Sequence, residues 1–162
     1  MITLTISEDQ IERAKTLYSF EGLKGSITKG ESNIFGAIGE IVVNDYFIKN
    51  GFKVDFNSTF DFDLKINDWK VDVKTKKTKY TPKMDYLCSI SAYNTKQDCD
   101  FYFFCRVLES FEKCYLLGYK KKNEFFKLSQ FNKKGELDVN GWDFKDDCYN
   151  LKIKNLNKFK IY

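Results

Sequence analysis

The chain has 162 residues, 43% hydrophobic and 31% charged, with 27 basic residues against 23 acidic ones and no histidine. That composition suits a single globular domain over 1–162, long enough to bury roughly 70% of its unfolded surface without a disulfide or metal staple. The absence of histidine excludes Ser-His-Asp and Cys-His catalysis, imidazole acid–base chemistry and every histidine-containing zinc site.

Taken in chain order, Ser7 and Gln10 match a capping box, and Ile11, Ala14, Leu17 and Tyr18 keep one face apolar, which predicts a helix over 7–20. Gly22, Gly25 and Gly30 mark a basic loop whose Lys24 and Lys29 are candidates to clamp a nucleic-acid backbone. Ser32 or Asn33 can cap a second helix, apolar over a wide face, that runs to Lys49 and stops at Asn50-Gly51. The two glycines of Gly36-Ala37-Ile38-Gly39-Glu40 are costly inside a helix, about 1 kcal/mol each, and predict a close approach of backbone or substrate near Glu40.

Beyond Gly51 the hydrophobic period changes from 3.6 to 2. Segments 52–56, 60–66 and 69–74 alternate, with Asn67-Asp68 as a tight turn between the last two. Further strands are expected at 86–92, 101–108 and 114–119, then a short helix at 123–131 and a last strand at 148–153. Phe101-Tyr102-Phe103-Phe104-Cys105 is apolar on both faces and reads as a central strand, whereas the alternating lysines of 152–154 read as an edge. With one proline, no repeat and no linker, helices first and then a strand-rich middle give α/β or α+β with a mixed sheet.

The five cysteines are odd in number and lack C-x-x-C spacing, so they read as reduced, packed side chains. With no leader and no run of ~18 uncharged apolar residues, a cytoplasmic protein that makes no membrane contact is expected. Lysines cluster at 70–83, where Asp72 is the one acid, at 120–122 and at 152–160; this suits a polyanion.

The chemistry concentrates in the hairpin. A two-residue turn at 67–68 pairs Ile66 with Trp69, which sets Asp63 opposite Asp72, with Lys74 on the same face. Val71 and Val73 then face the core while Asp72 and Lys74 face outward. Opposed carboxylates repel unless a divalent cation lies between them, and a hard cation such as Mg²⁺ takes this kind of oxygen ligand. A neighbouring lysine can orient or deprotonate an attacking water. Asp61 shares the face of Asp63 and is an alternative for its role.

Asp63 followed by Asp72-Val73-Lys74, with Glu40 on a preceding helix, resembles the core of the PD-(D/E)XK nuclease superfamily. The match covers residues 32–77 and lacks a proline before Asp63. The resemblance implies an α/β fold with a central mixed β-sheet flanked by helices, a restriction-endonuclease-like core, and a Mg²⁺-dependent DNA endonuclease in which Mn²⁺ substitutes, similar to phage and archaeal junction resolvases or small nicking enzymes. It further implies Asp63, Asp72 and Glu40 as metal ligands, Lys74 as the water-positioning group, frequent homodimerisation, and a bacterial or phage-infected cytoplasm. Lys76, Lys77 and Gln97 are expected substrate contacts. The alternatives are a non-catalytic nucleic-acid-binding module on the same fold and an RNA-directed nuclease.

Overall fold

The computed structural model describes residues 1–22, 32–138, 141 and 143–159, and its elements follow the change of period read from the sequence. Strand β1 (Ile2–Thr5) leads into helix α1 (Glu8–Gly22), and helix α2 spans Ser32–Lys49. The capping box closes as expected: the Ser7 amide donates to Gln10 Oε1 at 3.1 Å and the Gln10 amide to Ser7 Oγ at 3.2 Å. Strands β2 (Val54–Phe56), β3 (Leu64–Ile66), β4 (Trp69–Thr78), β5 (Leu87–Ser91), β6 (Phe101–Leu108) and β7 (Lys113–Lys121) follow. Helix α3 (Lys122–Leu128), β8 (Gln130–Asn132) and β9 (Cys148–Lys152) complete the set.

Two sheets result. The larger is mixed, in the order β1-β7-β6-β4-β3-β2, and its one parallel pairing is β4 with β6. β6 lies in its middle, and Tyr102, Phe103, Phe104 and Cys105 are all buried there, as expected of a strand apolar on both sides. The smaller sheet, β5-β9-β8, is antiparallel. The fold is therefore mixed α/β, with three α-helices among the described residues.

Each face of the large sheet carries its own core. On one side α2 lays Phe35, Ile38, Val42 and Phe47 against Leu64, Val73, Phe103 and Val107. Gly39 makes that seating possible, because a Cβ there would stand 2.0 Å from Thr75 Oγ1 and 2.9 Å from Cys105 Sγ. The close approach expected of the glycine pair is thus one of helix backbone to sheet at Gly39, while Gly36 faces open space. On the other side Tyr102, Phe104 and Leu117 pack with Ile90, Leu151 and Phe125, contributed by the small sheet and α3.

This second cover corrects three expectations. The face of β4 that carries Asp72 and Lys74 points into a second core, not outward. Lys152 belongs to the middle strand of the small sheet rather than to an edge, because β8 pairs along the far side of β9. The helix expected over 123–131 ends at Leu128, and the chain continues as β8.

The C-terminal segment touches both cores. Ile153 and Leu156 lie in the second, Asn157 exchanges backbone hydrogen bonds with Tyr119, and the Phe159 ring meets Phe47 at 4.8 Å in the first. Gly118 admits this crossing: its φ is +139°, and a side chain there would reach within 2.4 Å of the Asn157 carbonyl. All five cysteines are free and buried, and burial pushes the Cys88 thiol up to about 12, which makes it unreactive at neutral pH. No described helix is long and apolar enough to cross a membrane.

Candidate active site

The hairpin forms in the expected register. Asn67 takes a left-handed conformation (φ 52°) in the turn, and Ile66 pairs with Trp69, Lys65 with Lys70 and Leu64 with Val71. The first arm is shorter than its alternation suggests. Residues 57–63 curl into turns in which the Asn57 and Ser58 amides both donate to the Asp63 carbonyl, and Thr59 Oγ1 donates to the Phe62 carbonyl at 2.8 Å. Local hydroxyl and turn bonds compete here with the ladder and win.

The shortening positions the first acid. Beyond the end of β3, the Val73 N–H on β4 donates to Asp63 Oδ2 at 2.7 Å, so a carboxylate takes the place of a missing strand partner. Asp63 is 8% exposed and Asp72 2%. Asp72 Oδ2 lies 2.6 Å from Lys74 Nζ, and its Oδ1 accepts from Gln97 Nε2 at 2.8 Å. Gln97 Nε2 also donates to the Phe60 carbonyl, and the Lys122 ammonium donates to the Gln97 carbonyl. The Lys74 ammonium sits 5.8 Å from the centre of the Tyr102 ring, the β6 neighbour of Asp72.

Glu40 belongs to the same electrostatic unit. Burial raises the Asp63 pKa well above the usual carboxylate range, and the charges of Glu40 and then Asp72 push in the same direction, against the Val73 hydrogen bond and the Lys74 charge. Asp72 is also raised by burial, with Lys74 and Gln97 holding the rise back. Asp63 stands at the rim of β4, where α2 approaches from one face and the Asp72–Lys74 pair lies on the other. The charges of Glu40 and Asp72 thus both act on Asp63, and the Lys74 ammonium pairs with Asp72.

The remaining candidates separate. Asp61 accepts from the Asp98 amide at 3.1 Å, which anchors the 57–63 turn. Gln97, 4% exposed, is part of the site through Asp72. Lys76 follows Lys74 along the same face and donates to Ser89 Oγ at 2.7 Å. Lys77 lies on the opposite face, over the Phe35 ring of α2 and 3.6 Å from Glu109. Lys24 and Lys29 lie outside the described residues. Sequence reasoning missed Lys122 and Arg106. The first was hidden in a lysine run, and the signal for the second was its two-residue step from Phe104 on a central strand.

Among the described residues no three His, Cys, Asp or Glu side chains stand close enough to cage an ion. The donor chemistry nonetheless suits a hard cation: the acids offer only oxygens, and Gln97 Oε1 is a buried acceptor with no hydrogen-bond partner among the described residues. No family model matches this chain, and no curated protein matches it either.

Proposed function

We propose that this protein is a Mg²⁺-dependent DNA endonuclease with a PD-(D/E)XK-type, restriction-endonuclease-like core. The observation that carries the reading is the burial of Asp63 and Asp72 together, beside the charge of Glu40 and with Lys74 in contact. Burying an ionised group costs several kcal/mol even after relaxation, and a fold alone gains little from two adjacent buried acids. Clustered carboxylates with raised pKa values mark sites built for chemistry.

In this reading Asp63, Asp72 and Glu40 hold the cation, with Gln97 Oε1 adjacent, and Mn²⁺ substitutes for Mg²⁺. A bound divalent ion supplies Lewis-acid activation of the phosphate and the attacking water. The protein's own groups do the rest. Asp63 is fixed by the Val73 N–H, and Gln97, itself held by Lys122 and the Phe60 carbonyl, fixes Asp72. Lys74, beside Asp72 Oδ2, is the group that would orient the nucleophilic water and offset charge developing on the phosphate. The partner is DNA, and a homodimer is the assembly the resemblance implies.

A second reading has its own support. The Asp72–Lys74 contact at 2.6 Å and the absence of a closed acid cage among the described residues favour a non-catalytic nucleic-acid-binding module. One experiment decides between them. The protein is incubated with single-stranded, duplex, nicked and branched DNA and with RNA, in Mg²⁺, Mn²⁺ or EDTA. The enzyme reading expects cleaved DNA with either metal and none in EDTA, and cleavage of RNA alone would redirect it to an RNA nuclease. Salt-sensitive retention on every substrate with no product in any metal would sink it.

A further inference from the structure

Beyond Lys74, the same face of β4 borders a second feature. A cavity of about 100 Å³ lies between the two sheets, lined by Lys74, Lys76, Arg106, Ser89, Phe104 and Leu117, among others. A water needs roughly 10–15 Å³ of such space, so the cavity accommodates several waters or one tetrahedral oxyanion. Three of its lining side chains are cationic. Lys76 and Arg106 are direct neighbours across the parallel β4–β6 pair, so their side chains share a face.

Like charges in adjacent register positions are unfavourable, and neither side chain is neutralised by a carboxylate ion pair among the described residues. Arg106 donates to the Leu87 carbonyl at 3.1 Å and stacks 5.2 Å from the Tyr86 ring centre, which fixes its guanidinium and leaves other N–H groups for a ligand. The Lys76 ammonium donates to Ser89 Oγ, whose hydroxyl donates to Asn150 Oδ1; Asn150 Nδ2 in turn donates to Asn132 Oδ1 at 2.9 Å. A polar chain from β4 through β5 and β9 to β8 thus holds the ammonium in place. Lys76 is exposed as a residue, yet the protein around its ammonium, followed by the Arg106 charge, lowers its pKa, while Cys88, Cys148 and Asp138 act in the opposite direction. Lys76 and Arg106 are two aligned cations on one face, an arrangement that a dianion between them relieves.

We infer that this cavity is an anion site that takes a phosphate group, bound by Lys76 and Arg106 with Ser89 beside them and Lys74 at the boundary with the acids. The phosphate has two sources, inorganic phosphate or a phosphorylated nucleic-acid terminus. The geometry of the cavity stands apart from the nuclease reading; only the second source rests on it.

The test is a titration of the full chain with inorganic phosphate in EDTA, at constant ionic strength set with chloride, followed by calorimetry and by the shift in melting temperature. Saturable binding is expected, with affinity at least about tenfold weaker in Lys76→Gln and in Arg106→Gln, as for the loss of one charge-assisted hydrogen bond. Lys79→Gln, on the exposed surface, should bind as the parent does. If Arg106→Gln fails to fold through loss of its Leu87 and Tyr86 contacts, Lys76→Gln still decides the matter. Absence of saturable binding, or equal affinity in parent and Lys76→Gln, would overturn the site. Competition by 5′-phosphorylated, 3′-phosphorylated and unphosphorylated oligonucleotides identifies the source. Preferential displacement by a phosphorylated end assigns the site to nucleic acid, and displacement by none assigns it to free phosphate. No cleavage enters the measurement, so its failure and that of the nuclease reading are separate events.

Discussion

The two faces of the large sheet are built to different rules. Under α2 the layer is almost wholly apolar, closed by a glycine that lets helix and sheet approach within side-chain reach. Toward the small sheet, the same strands bury Asp72 and Lys120 and carry Lys74, Lys76 and Arg106 around a cavity, and Gln97, before β6, and Asn150, on β9, are buried as well. Two carboxylates show the contrast most clearly. Asp45, on α2, is pushed up by burial, but hydrogen bonds from Arg13, Gln10 and Asn44 bring it below its ordinary value. Asp63 is pushed up by burial and driven further by its acidic neighbours. One acid is placed where the fold benefits from its charge, the other where the fold bears a cost. In the proposed reading the site draws its cost from this second kind of acid, with Glu40 reaching it from α2.

The largest expected effect tests the chemical side. Lys74→Ala should lower metal-dependent cleavage by on the order of a thousandfold while leaving DNA retention nearly unchanged, measured as single-turnover rate against filter binding. A parent-like rate in this variant would remove Lys74 from the mechanism.

The next tests the helix side. Gly39→Ala should destabilise by about 2–3 kcal/mol in denaturant unfolding, since its methyl meets Thr75 Oγ1, and Thr75→Ala in the same chain should restore most of the loss. Gly36→Ala, on the same helix with open space around it, should stabilise by up to about 1 kcal/mol.

A smaller effect sharpens the contrast between the acids. Because the folded pKa of Asp63 is raised, the unfolded chain releases this proton first. Stability should therefore fall as pH rises from the ordinary carboxylate value through the folded one. Asp63→Asn keeps an acceptor for Val73 and should flatten that decline, raising stability near pH 8 by on the order of 1 kcal/mol while abolishing the stabilisation of the parent by Mg²⁺ or Mn²⁺. Asp45 has the opposite sign: its contribution is present above the unfolded pKa and is lost as pH falls through the lowered folded value. The smallest change is Arg13→Ala, which removes two hydrogen bonds to Asp45 at 2.8 and 3.0 Å from a half-exposed side chain and should cost under about 1 kcal/mol.

Features set by neighbours along the chain were legible in the sequence. The capping box at Ser7, both ends of α2, the 67–68 turn and the register from Ile66–Trp69 to Leu64–Val71 all rest on local chemistry, whereas the expected pairing of Asp63 with Asp72 lies beyond the end of that ladder. Features set by distant segments were not. The face of Asp72 alternates like a solvated one, yet Asp72 is buried beside Tyr102 on β6 and under Gln97, twenty-five residues further on. Phe60 to Phe62 alternates like a strand, yet one threonine hydroxyl bends it into a turn. Short pieces such as β1 and β8 pair only because a longer strand offers them an edge, so their own residues carry little signal.

The crossing of the C-terminal segment at Gly118 ties these unlike halves into one thermodynamic object. With Leu156 seated on one side of the sheet and Phe159 on the other, neither layer can loosen without dragging on the tail that fastens its counterpart. Melting should accordingly occur in one cooperative step, and a chain ending at Asn155 should come apart in two, the small sheet first.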